Sequence, residues 1–205
     1  MKIVISAGPT REFIDPIRFI SNSSSGQMGY AVAAEALRRG HEVVLVSGPV
    51  AIKAPEGAVL IPVVSAADMA EAVKREFAAA DCCIMSAAVA DYRPAKILDH
   101  KMKKSPGNMV IELERTEDIL KALGEVKRPG QLLVGFAAES ENLLENAAGK
   151  LARKNLDWIV ANNISDGFAK TTNACILLGR NGEKIPFSTR PKTELAAALL
   201  DAIGI

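Results

Sequence analysis

Residues 20–29, Ile-Ser-Asn-Ser-Ser-Ser-Gly-Gln-Met-Gly, gather the Asn22 amide, four hydroxyls and two glycines at the start of an amphipathic stretch. Backbone N–H groups at the positive end of a helix bind anions, and bare glycine lets a polyphosphate approach the main chain. Asn22, Ser24, Ser25 and Gly26 are therefore candidate phosphate contacts. A polar connection in which Ser24 or Ser25 caps the helix accounts for the same residues. Gly8-Pro9-Thr10-Arg11 adds a hydroxyl and a guanidinium suited to phosphate oxygens, where a tight turn would explain the glycine and proline alone. In Ser86-Ala-Ala-Val-Ala-Asp91, small residues leave room for a planar ligand and Asp91 can accept from ribose or base donors. Lys101-Met-Lys-Lys104 reads as a solvated run or as a lid whose cations offset charge on a polyphosphate. Phe136, in Gly135-Phe-Ala-Ala-Glu139, either stacks a base or sugar or belongs to the core. Lys150 and Lys154 stand one helical turn apart, as surface lysines or as paired anion contacts.

Other chemistries find less support. Two histidines without surrounding motifs offer no serine–histidine–acid set. Cys82, Cys83 and Cys175 lie in apolar runs without metal-ligand spacing and read as buried free thiols of a reducing compartment. Tyr92-Arg-Pro-Ala-Lys96 imitates the Tyr-x-x-x-Lys dyad of nicotinamide-dependent short-chain oxidoreductases, but Pro94 disfavours the helical turn that dyad needs. The second strand ends Val46-Ser47-Gly48, with no acid for a ribose hydroxyl.

The elements that must position these groups alternate along the chain. Strands are predicted over Lys2–Ser6, Glu42–Ser47, Val59–Val64, Cys82–Ala87, Leu132–Phe136 and Trp158–Ala161, several of them apolar throughout, as parallel strands covered on both faces are. Helical spacing occupies Gln27–Arg39, Ala67–Ala79, Glu117–Glu125 and Glu141–Lys154, with Ser65 and Thr116 as N-caps. Asn181-Gly182 predicts a hairpin between Ala174–Leu178 and Lys184–Phe187. A last helix follows over Pro191–Ile203, with the proline in its first turn. The expected fold is α/β: a doubly wound, mostly parallel Rossmann-like sheet with a C-terminal β-hairpin and helix, forming one domain over residues 1–205. The irregular segment Ala88–Met109 is expected to be a functional lid or disordered.

Of the 205 residues, 49% are hydrophobic and 24% charged, enough for a well-buried core, and the formal net charge of +1 gives no reason to expect nucleic acid or a membrane surface. No apolar run nears the roughly 20 residues of a membrane helix, and a cytoplasmic location is expected.

Seven collinear stretches carry a resemblance. They are Ala7-Gly-Pro-Thr-Arg-Glu, Asp15-Pro-Ile-Arg-Phe-Ile-Ser-Asn22, Ser24-Ser-Gly-Gln-Met-Gly29, Ala87-Ala-Val-Ala-Asp-Tyr-Arg93, Lys101-Met-Lys-Lys104, Val134-Gly-Phe-Ala-Ala-Glu139 and Lys150-Leu-Ala-Arg-Lys-Asn-Leu-Asp157. Together they resemble the bacterial phosphopantothenoylcysteine synthetase family of coenzyme A biosynthesis. The resemblance implies a ligase joining 4′-phosphopantothenate to L-cysteine. The carboxylate attacks the α-phosphate of CTP, pyrophosphate leaves, and the cysteine amine then displaces CMP from the acyl-cytidylate. It also implies Mg2+ with the nucleotide, a homodimer, and a decarboxylase of the product either fused in front or on a separate polypeptide. By motif match, Lys101 resembles the lysine needed for the acyl-cytidylate, and Asn22 the asparagine needed for the second step, its amide donating to the acyl oxygen. Holding its own loop by a local turn is the alternative for Asn22. Met85, Ser86, Ala87, Asp91, Glu117, Asp118, Ile119, Leu120, Phe136, Lys150 and Lys154 match nucleotide-contacting positions. Gln27 stands where many members carry lysine, and Thr116-Glu-Asp-Ile119 where Asn-Pro-Asp-Ile is usual. ATP in place of CTP, and a nucleotide-binding subunit without turnover, remain open on the sequence.

Overall fold

In the computed structural model, residues 1–103, 106–163 and 170–205 are described. Lys104, at the end of the basic cluster, lies outside them. The apolar runs form the parallel strands β1 (Lys2–Ala7), β4 (Glu42–Ser47), β5 (Val59–Pro62), β6 (Cys82–Met85), β9 (Leu132–Glu139) and β10 (Trp158–Asn163). The hairpin β11 (Thr172–Gly179) and β12 (Lys184–Pro191) adds two antiparallel strands, giving the order β12-β11-β10-β9-β6-β1-β4-β5. From β1 the chain winds outward to β4 and β5. It then returns to β6 on the other side of β1 and winds on through β9 and β10. The strand order therefore reverses between β1 and β6, and a crevice opens there above the carboxyl ends of the strands.

Helices α2 (Ala66–Phe77), α3 (Ile119–Val126) and α4 (Leu143–Arg153) cover one face of the sheet, with Met69, Val73, Leu123 and Ala147 packed on Val4, Cys83 and Leu133. Helices α1 (Gln27–Arg38) and α5 (Lys192–Ala202) cover the other, where Tyr30, Val32, Leu195 and Leu199 meet Ile3, Ile5 and Val134. Strands β1, β4, β6 and β10 are buried on both sides, which explains why period-2 alternation is absent from their sequences.

Capping follows local chemistry, with three corrections. Ser65 caps α2 in a reciprocal capping box: its Oγ accepts from the Asp68 N–H at 3.1 Å and the Asp68 carboxylate accepts from the Ser65 N–H at 2.8 Å. Helix α3 is capped by Asp118 rather than Thr116, because the Thr116 hydroxyl donates instead to the Ala90 carbonyl at 2.6 Å. Neither Ser24 nor Ser25 caps α1; the N-cap is Gly26, left-handed at φ 76° and without a side-chain bond. Pro191 is itself the N-cap of α5 rather than a first-turn residue.

Two small hairpins were not legible in the sequence. β2 (Arg11–Phe13) pairs with β3 (Phe19–Ser21), and β7 (Tyr92–Pro94) with β8 (Leu113–Arg115). Strands of three residues are too short for a hydrophobic period, and their partners decide them. The segment expected as one long loop therefore begins as β-ribbon. Tyr92 lies in a strand, so Tyr92 and Lys96 do not form the helical dyad of a short-chain oxidoreductase.

Candidate nucleotide and acyl-transfer site

A cavity of about 630 Å3 occupies the crevice at the reversal of strand order. Its wall brings together most of the residues singled out from the sequence: Asn22, Ser24, Ser25 and Gly26 before α1; Met85, Ser86, Ala87 and Asp91 after β6; Glu117, Asp118, Ile119 and Leu120 at the start of α3; Phe136 on β9; and Lys150 and Lys154 on α4. The start of α1 comes hard against the sheet. A Cβ added at Gly29 would meet the Ala7 Cβ and the Ser86 Oγ, both at 2.6 Å, so the bare residue is what lets the helix end reach the crevice.

Four expected residues, Gly8, Thr10, Arg11 and Lys101, are not in that wall. Gly8, at φ +74°, is a wedge between strand ends: a Cβ there would stand 2.9 Å from Val50 Cγ1 and 3.0 Å from the Gly48 carbonyl. Thr10 is buried; its Oγ1 accepts from the Ala90 N–H at 3.0 Å and its carbonyl from the Ser21 hydroxyl at 2.7 Å. Both hold the strips that carry Asn22 and Asp91. Arg11, beside Thr10, lays its guanidinium over Phe19 at 4.5 Å. Lys101 is exposed on the loop beyond β7, outside the cavity wall. Its neighbour Met102 is clasped to the β2–β3 turn: the Met102 N–H donates to Asp15 Oδ2 at 3.0 Å, and Arg18 Nη1 donates to the Met102 carbonyl at 3.3 Å. Desolvation pushes the fully buried Asp15 carboxyl up, and the N–H groups of Ile17, Met102 and Arg18 with the Arg18 charge outweigh it, holding it at about 2.

Within the wall, Asn22, Lys150 and Lys154 already have partners. Asn22 Nδ2 donates to the carbonyls of Ala88 at 3.1 Å and Val89 at 3.2 Å, so its amide bridges the two strips instead of closing a local turn. Lys150 Nζ lies 2.6 Å from Glu139 Oε1, and Lys154 Nζ 2.9 Å from the Asp118 carboxylate, which also caps α3. Burial works against the Asp118 charge, and Lys154 with the Lys121 N–H draws its pKa below the ordinary value. Glu117 pairs with Lys74 at 2.8 Å. These are rim contacts in partly solvated positions, where a polyphosphate can replace the carboxylates as the partner of the lysines. The Ser86 hydroxyl donates to the Ser6 carbonyl at 2.7 Å, which fixes the strip after β6 beside β1.

Sequence reasoning missed four polar lining residues: Arg115 at the end of β8, Asn162 on β10, Asn173 on β11 and Lys192 at the start of α5. The last three are buried, and burial has lowered the Lys192 pKa. Their only signal was polarity at the ends of apolar strands, which turns also produce.

Residues 1–204 match the family described as the DNA/pantothenate metabolism flavoprotein C-terminal domain. The chain is 49% identical over 206 residues to the coenzyme A biosynthesis bifunctional protein CoaBC of Bacillus subtilis, covering 98% of this chain and 50% of that protein. It is 45% identical to a cysteine/cysteine sulfinic acid decarboxylase of an unknown prokaryotic organism, covering 98% of this chain and 57% of that one. The chain thus spans about half the length of these relatives. Among solved structures, the C-terminal domain of a CoaBC protein superposes with a TM-score of 0.85 at 47% identity, covering 98% of this chain and 93% of that one.

Proposed function

This chain belongs to the DNA/pantothenate metabolism flavoprotein C-terminal domain family, and on that premise we propose that it ligates 4′-phosphopantothenate to L-cysteine through an acyl-cytidylate. One observation carries the reading beyond the family: the crevice places a helix start, an amide strip and two lysines around one cavity large enough for a nucleotide. CTP is the proposed nucleotide. Lys150 and Lys154 hold its phosphates, Asp91 or Asp118 accepts from ribose or base, and Phe136 lies against the sugar or base. Magnesium enters with the triphosphate, held by phosphate oxygens, water and at most one or two carboxylates. This suits a wall where, among the described residues, no three His, Cys, Asp or Glu side chains group as a metal cage. Lys101 swings in from its loop to offset charge as pyrophosphate leaves, and the cysteine amine then attacks the acyl carbonyl beside Asn22.

The working form proposed is a cytoplasmic homodimer, with decarboxylation of the product supplied by another domain or polypeptide. No described helix is long and apolar enough to cross a membrane. The test is pyrophosphate release with each of the four nucleoside triphosphates, with and without phosphopantothenate. Release that needs both CTP and phosphopantothenate is the expected result. Nucleotide binding without release would replace this reading with that of a binding subunit. In the same assay Lys101→Gln should lose pyrophosphate release at unchanged melting temperature, because an exposed loop lysine contributes to rate rather than to the core.

A further inference from the structure

The cavity has a second polar end, apart from the lysines proposed to hold the nucleotide. Lys150, Lys154 and Asp118 belong to α3 and α4 on one face of the sheet, whereas Lys192 opens α5 on the opposite face. Beside Lys192, at the ends of β10 and β11, the wall is completed by Asn162 and Asn173. These three polar residues are only 8%, 7% and 4% exposed, respectively.

Asn173 is the informative one. Among the described residues, its Oδ1 is the buried side-chain polar atom with no hydrogen-bond partner. Folding has desolvated an amide oxygen and given it nothing in return, a state that native chains keep at few positions and that has a ready explanation in a ligand-binding wall. Asn162 gives its Nδ2 to the Asn163 carbonyl at 3.0 Å, which leaves its own oxygen as the end for other partners. Lys192 Nζ is held by the Lys170 carbonyl at 2.5 Å. Its ammonium is thus held in place at the start of α5. Acceptor oxygens beside a fixed cation fit a group that carries hydrogen-bond donors next to a carbonyl or carboxylate oxygen. A phosphate, which offers acceptors alone near neutral pH, would leave the Asn173 Oδ1 without a partner.

We propose that Asn173 and Lys192 form the subsite for the non-nucleotide half of the ligation, Asn173 Oδ1 accepting from a hydroxyl, amide N–H or ammonium of the ligand and Lys192 attracting its carbonyl or carboxylate oxygen. The proposal rests on the reading above. Two substrates share this chemistry, the hydroxy-amide of phosphopantothenate and the zwitterion of cysteine, and the experiment separates them.

With the full chain, KM for CTP, phosphopantothenate and cysteine is measured in turn for wild type, Asn173→Ala and Asn173→Asp, together with ligand-free melting. Asn173→Ala removes a group with an unmade hydrogen bond and should melt no lower than wild type. Its KM for either phosphopantothenate or cysteine should rise at least tenfold, with the CTP value within twofold. A rise for phosphopantothenate that disappears with an analogue lacking the pantoyl hydroxyl assigns the hydroxy-amide. A rise for cysteine that Asn173→Asp reverses assigns the ammonium, since a carboxylate binds it as well. Unchanged KM values, an equal rise for CTP, or a lower melting temperature would each overturn the subsite while leaving the ligase reading intact. A wild-type chain without turnover would overturn both.

Discussion

Lys150 and Lys154 show how one residue type serves two states. In the free chain each is paired with a carboxylate at the cavity rim, contacts worth at most about 1 kcal/mol to folding in such solvated settings. Lys150→Ala and Lys154→Ala should therefore melt close to wild type yet raise KM for CTP by about tenfold or more, and added salt should weaken CTP binding to wild type in the same direction. An unchanged CTP requirement in both variants would return them to the surface. Asn22 is the more demanding case, because both its amide hydrogens are spent on the Ala88 and Val89 carbonyls. Donation to an acyl oxygen must borrow one of them. Asn22→Asp turns a carboxylate toward two carbonyls, so pyrophosphate release should slow several-fold, while the transfer to cysteine, which also loses its donor, should fall by about 10²–10³. Hydroxylamine trapping of acyl-cytidylate checks the ratio: equal loss in the two steps, with nothing trapped, would make Asn22 a strip-holding residue only.

Among the elements, the β2–β3 hairpin is the least legible in sequence and has a definite use as the anchor for the Lys101 loop. Asp15 is its centre. The carboxylate accepts from the Ile17 and Arg18 N–H groups at 2.9 and 2.8 Å and from Met102 at 3.0 Å. Asp15→Asn should speed amide exchange at Met102 and slow pyrophosphate release, because Lys101 is the adjoining residue. The pH dependence has a fixed sign. The folded carboxyl, at about 2, lies below its ordinary value of 3.8, so the unfolded chain takes up the proton first as pH falls. The stability Asp15 confers is present above pH 3.8 and fades as pH falls toward about 2. The melting difference between wild type and Asp15→Asn should shrink over that window, and a difference constant with pH would remove Asp15 from the clasp. The β7–β8 ribbon carries both ends of the same loop, so the loop hangs from one hairpin and is clasped by another rather than resting on the main sheet.

At the scale of the whole molecule, the mostly parallel sheet is the body and the crevice lies at the reversal of strand order between β1 and β6. Cys82 and Cys83 stand in central strand β6, and Cys175 in β11. Burial, with the Asp157 and Asp81 charges added, pushes the Cys82 thiol up to about 12; burial pushes Cys83 well above its ordinary value, and Cys175 up to about 12. Thiols so placed neither ionise nor meet solvent in the native state. A thiol reagent should label all three rapidly in denaturant and Cys82 and Cys83 only as fast as the sheet opens, so their labelling tracks global unfolding. Rapid native labelling of either would contradict the burial.

What the sequence determined by itself was whatever rests on local pattern: apolar runs for the parallel strands, helical spacing for the layers, Asn181-Gly182 for the hairpin, Ser65 with Asp68 for a cap, and the glycine- and serine-rich approach to α1. Each is a property of neighbouring residues and needs no knowledge of the rest of the chain. The tertiary structure alone decided which polar residues share the crevice. Thr10 and Gly8 left it for structural posts, because contacts far along the chain claimed them. Asn173 and Lys192 joined it, because the antiparallel hairpin returns beside β10 and brings the start of β11 and the first residue of α5 to the same edge as Phe136. Strand order is a long-range pairing choice, and it is this choice that turns scattered polar residues into one wall.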